Sequence, residues 1–227
     1  MIIILSYHRT QDLRSNERGH PYYSHASSVL AENMQRQNLK SALPFQNNVV
    51  SLLHRESGMG GTGILLNREG FLLTSLHLVD HLQRDRYAMR NYCIRDAEKR
   101  DFPLDANFFA SEPDYDLAIL RTLKDAHEIP TIPLVERDPE PGERVMYFPF
   151  PNGGERLVLE GLVDKASIDI DIEKKDGSLH VRRDSFLFLG KGDINYSGSA
   201  IFSLDGDFLG TLFAGEEPGK NSTMFAI

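Results

Sequence analysis

The sequence predicts an all-β protein with a helical segment at its N-terminus, and three observations carry that expectation. From Asn48 onward the apolar residues fall into short runs, among them "NVVSLLHR", "GTGILLN", "FLLTS", "DLAILRT", "ERVMYFPFP", "FLFLG", "SAIFSL" and "DFLGTLFAG". Turn-forming residues separate the runs. "NREG" at Asn67–Gly70 and "LDGD" at Leu204–Asp207 each join two of them, and the Asp-Gly pair tolerates the positive φ of a tight hairpin. Many short strands divided by turn signals make a sandwich or a barrel. The third observation is "ERDPEPGER", Glu136–Arg144, where two prolines and a glycine among charges cannot continue a strand. This segment splits the β region into two comparable halves.

Residues 1–45 have a different texture. "YHRTQDLRSNERGHPYYSHASS" is polar and without sustained period, whereas "SSVLAENMQRQNLKSAL" is rich in helix formers and sets Leu30 and Met34 on one helical face. The pattern predicts a helix over 27–42, ended by Pro44. The opening "MIIIL" is too short for the core of an export signal and runs into polar residues. A single cysteine, Cys93, cannot form an internal disulfide, so the expected compartment is the cytosol. The 227 residues, 41% hydrophobic and 26% charged, suffice for a sizeable core, and no apolar run is long enough to span a bilayer. A net charge of −8 argues against a nucleic-acid partner, which would call for a basic face.

Three residues carry the chemistry. His77 follows the leucine-rich run "FLLTS", where a rigid strand can hold an imidazole at the mouth of a cleft; taken alone it also reads as a half-buried histidine with a satisfied hydrogen bond. Asp116 opens the apolar run Leu117–Leu120, and a carboxylate entering a buried strand needs a donor such as a histidine ring nitrogen. Ser197 lies between Tyr196 and Gly198 in a tight loop ahead of a hairpin, and the backbone N–H groups of Asn195 and Ser197 can converge on a developing oxyanion. A bare Ser-Gly-Ser is more often a turn, so the weight lies in the combination. His77 and His81 share the four-residue spacing of zinc metalloproteases, but Leu78 stands where those enzymes carry their glutamate base. Neither a metal nor another cofactor is expected, and His81 reads as a surface residue of the turn.

"GTGILLNREGFLLTSLHLV", "DYDLAIL", "YSGSAIFSLDGDFLG" and the terminal "FAI", in that order, make the chain from about Asn48 onward resemble the trypsin-like (chymotrypsin-fold) serine proteases, closest to the HtrA/Deg branch. The resemblance implies two packed, antiparallel, six-stranded β-barrels, about 46–135 and 141–227, with the active site in the cleft between them. It also implies roles: His77 as general base, Asp116 as its orienting acid, Ser197 as nucleophile, and the backbone N–H groups of Asn195 and Ser197 as oxyanion hole. Phe213, Ala214 and Gly215 would lie beside a peptide substrate, and Lys191 would line the pocket for the side chain preceding the cut bond or, as is commoner for lysine, turn its charge to solvent. The implied activity is that of a serine endopeptidase acting on peptides or proteins; the alternative is a catalytically weak or inactive homologue that binds a peptide or a partner. The chain departs from the family at Asn195, where glycine is usual. It also lacks the activation sequence "IVGG", and no PDZ-like segment follows within the 227 residues. HtrA relatives often associate through N-terminal segments, so the resemblance extends to a homo-oligomer formed through residues 1–45.

Overall fold

The computed structural model describes residues 43–123, 130–134, 137–173, 179–193, 195–215 and 219–227. The helix expected over 27–42 lies outside them. Six strands form the first barrel: β1 (Val49–His54), β2 (Gly60–Leu65), β3 (Phe71–Ser75), β4 (Tyr92–Arg95), β5 (Asp101–Glu112) and β6 (Leu117–Thr122). Six more form the second: β7 (Arg144–Tyr147), β8 (Leu159–Glu173), β9 (Leu179–Gly192), β10 (Ala200–Ser203), β11 (Phe208–Gly215) and β12 (Gly219–Ala226). Both sheets are antiparallel and closed, ordered β1-β2-β3-β6-β5-β4 and β7-β8-β9-β12-β11-β10 around their circumference. The two barrels therefore share one topology, and the Pro-rich segment predicted as a boundary runs between them.

Period-two alternation explains why several strands are apolar on both faces. In β1, Val50 and Leu52 fill the first barrel while Val49 points to the neighbouring barrel. In β7, Val145 and Tyr147 fill the second barrel while Met146 points back. Val49, Ile64, Ile132, Met146, Phe148, Phe150, Ala200 and Phe202 thus make a third core between the barrels.

Two details differ from the sequence reading. "IDIDIE" and "SLHVRR", read as separate strands, continue β8 and β9, whose pairing is interrupted by register shifts between Val163 and Ile170. Bulges of this kind bend a long hairpin without ending it. Strands β4 and β5 were not among the predicted runs. Charges crowd their ends, and β5 carries Pro103, opposite Cys93, where a proline argues against a strand in sequence.

Candidate active site

Strand β3 ends at buried Ser75 and turns at once into a short 3-10 segment, Leu76–Leu78, which carries His77. A second 3-10 turn, Pro113–Tyr115, delivers Asp116 to the start of β6, beside the end of β3. Asp116 has left-handed backbone, φ 53° and ψ 32°, a conformation that aspartate tolerates better than most residues. That geometry turns both ends of the residue toward His77. The Leu76 N–H donates to the Asp116 carbonyl at 2.6 Å, the His77 N–H donates to Oδ1 at 3.0 Å, and His77 Nδ1 stands 2.7 Å from Oδ2. The Asp116 side chain is 3% exposed and that of His77 21%. Burying a carboxylate is costly, and these charge-assisted bonds offset the cost. An ionised carboxylate only accepts, so Nδ1 carries the ring proton and the lone pair of the neutral ring is left on Nε2.

The serine loop comes from the second barrel. Its turn is closed by the Tyr196 N–H donating to the Asp193 carbonyl at 3.2 Å, with half-buried Asn195 inside the turn. Gly198 follows Ser197 with φ +80°, and a Cβ there would lie 1.9 Å from the Thr62 carbonyl, so only glycine serves. The loop docks on both barrels. Ser197's carbonyl accepts from the Thr62 N–H at 2.9 Å, and the Gly198 N–H donates to the Leu212 carbonyl at 2.7 Å. That same Leu212 carbonyl accepts from the Ser75 hydroxyl at 3.1 Å. A Cβ on Gly61 would touch both the Leu78 side chain and the Ser197 carbonyl, which sets the serine loop against the residue next to His77. Among the described residues the bonds holding Ser197 run through its main chain, and none joins its hydroxyl to His77. Such bonds are often long without substrate and tighten in the complex.

The remaining predicted residues lie on β9 and β11. Lys191 is exposed, and its carbonyl accepts from the Tyr147 hydroxyl at 2.6 Å; burial pushes that hydroxyl's pKa up. Phe213 is buried against Leu187 and Phe225, while Gly215 is exposed. Strand β11 pairs with β12 through Ala214 and Gly215, but its pairing with β10 starts only at Thr211. Among the described residues, the other edge of Phe213–Gly215 therefore has no strand partner. His81 lies at the surface beside Tyr92, as the sequence suggested. Sequence reasoning missed Thr62, Thr74 and Ser75: hydroxyls within apolar strands must find buried partners, but the local sequence does not say which.

Comparison with known proteins agrees with this architecture. A solved structure of the Rv3671c protease from M. tuberculosis, in its active form, is 18% identical, with a TM-score of 0.66 over 96% of this chain and 89% of that one. The MamO protease domain from Magnetospirillum magneticum is 20% identical, with a TM-score of 0.62 over 81% of this chain and 93% of that one. At such identities the likeness is one of fold. A "Probable periplasmic serine endoprotease DegP-like" of Pseudomonas fulva (strain 12-X) is 25% identical over 70% of this chain, which spans about a third (33%) of that relative's length. The family model for the trypsin-like peptidase domain matches residues 61–210, from the glycine strand beside the serine loop to the hairpin after it, and the chain belongs to the trypsin-like peptidase family.

Proposed function

We propose that this chain is a serine endopeptidase that cleaves peptide bonds through His77, Asp116 and Ser197. One observation carries the reading: the Asp116 carboxylate is bonded to both the ring and the main chain of His77, beside the docking point of the serine loop. A ring held in that tautomer is a base with a fixed direction.

In the proposed reaction the Ser197 Oγ bonds to the carbonyl carbon of the substrate as its proton passes to His77 Nε2. The carbonyl π electrons move to oxygen, and the main-chain N–H groups of Ser197 and Asn195 stabilise that charge. The imidazolium then gives its proton to the departing amine as the C–N bond breaks, leaving an ester on Ser197. Water attacks the ester with His77 again as base, releasing the peptide acid and free Ser197. The unpartnered edge of Phe213, Ala214 and Gly215 takes the substrate as an added strand, and exposed Lys191 is proposed as a wall of the pocket for the preceding side chain.

Asn195 favours a second reading, a peptide-binding homologue with weak turnover. Where the family usually has glycine, a larger residue constrains the turn that aims one oxyanion donor, and losing such a donor costs about 10²–10³ in rate. A fluorophosphonate probe separates the two. In a peptidase Ser197 Oγ displaces fluoride from phosphorus, and the mass rises by one adduct that is absent from Ser197→Ala and slowed in His77→Ala. Folded wild type that stays unlabelled would defeat the peptidase reading, and labelling restored by Asn195→Gly would establish the second.

A further inference from the structure

Thr62 is fully buried in the middle of β2, and every polar group it has is engaged outside its own strand. The N–H donates to the Ser197 carbonyl at 2.9 Å, and the carbonyl accepts from the Thr74 hydroxyl at 2.7 Å. Its own hydroxyl oxygen accepts from the Phe150 N–H at 2.9 Å. Those three partners belong to different parts of the molecule. Thr74 is in β3, three residues before His77. Ser197 is the nucleophile of the proposed reaction. Phe150 follows β7 and belongs to the core between the barrels. The Gly198 backbone also closes on the Thr62 carbonyl, at a distance no side chain would permit.

We infer that Thr62 is a positioning residue that sets the separation of the histidine and serine arms, with its hydroxyl locking that separation to the packing of the two barrels. The inference rests on the peptidase reading for its catalytic consequence, but not for its structural one. If the hydroxyl is removed, the Phe150 N–H is buried without a partner and β2 is free to shift against the second barrel. Because the Thr62 main chain holds both Thr74 and Ser197, any shift of it moves the two arms relative to each other. Displacements of this kind, remote from the reacting atoms, cost as much as about a hundredfold in rate.

The test uses the full chain with Thr62→Val, which keeps shape and removes the acceptor, and Thr62→Ser, which keeps the acceptor. Two quantities are read: amide hydrogen exchange at Gly198, with Ile94 in β4 as a distant reference, and the rate of fluorophosphonate labelling. In Thr62→Val, Gly198 exchange should rise about tenfold or more while Ile94 is unchanged, and labelling should fall by about ten- to a hundredfold. Thr62→Ser should recover most of both. Gly198 exchange equal to wild type, or an equal rise at Gly198 and Ile94, would overturn the inference, the latter because it marks a purely global loss of stability. Should Thr62→Val not fold, Thr74→Val removes the donor to the Thr62 carbonyl and should give the same selective pattern. If wild type does not label at all, the peptidase reading falls, and Gly198 exchange still decides the positioning role.

Discussion

At the scale of single residues, the Asp116 carboxylate does two jobs that a substitution can separate. Asp116→Asn keeps an oxygen for one donor but offers an N–H where Nδ1–H has to be accepted, so the ring is driven toward the wrong tautomer. Turnover of a peptide substrate should fall about 10⁴-fold with KM little changed, while the melting temperature moves by only a few degrees. A comparable loss of both would make Asp116 a structural residue instead. The positions of His77, Asp116 and Ser197 at strand ends were legible in the sequence because turn residues surround each of them. Thr62 was not, because a threonine in "GTGILL" is ordinary in a strand and its partners lie 12, 88 and 135 positions away.

At the scale of elements, ion pairs fasten neighbouring strands and loops. Arg121 of β6 reaches Asp105 of β5, with Nε at 3.2 Å from Oδ2, and its guanidinium holds the Asp105 carboxyl below the usual carboxylate range. Such a lowered pKa adds stability that is fully present above the unfolded value near 4 and is lost as pH falls through the lower folded value. Arg121→Ala should therefore reduce the urea midpoint at neutral pH and leave the two proteins converging at the acid end; parallel curves across the whole pH range would refute the linkage. Arg137 plays a similar part elsewhere, binding Glu143 at 2.7 Å and Asp207 at 2.9 Å, which ties the segment between the barrels to the Asp-Gly hairpin. Elements with alternation and explicit turns were readable in advance. The long β8–β9 hairpin and the β4–β5 pair were not, since bulges and a proline inside a strand erase the local pattern that such reading depends on.

At the scale of the molecule, two closed barrels of identical strand order are joined by a core as apolar as their own interiors. Phe202 is fully buried at that junction, edge-on to Phe148 and Phe208. Phe202→Ala should cost about 3–5 kcal/mol, and calorimetry should still record one transition, because neither barrel keeps its packing without the other. Two separated transitions in wild type would show that the barrels are independent units. The shared strand order was not visible as a repeat in the sequence, since the same topology is filled by Leu, Val and Met in one barrel and by Phe and Tyr in much of the other. That division has a consequence during synthesis. The first barrel's last strand ends at Thr122, yet the residues that cover Val49 and Ile64 include Phe148 and Phe202. At about 5–20 residues per second the half-made protein trails an uncovered apolar face for several seconds, an interval in which the nascent chain is open to aggregation.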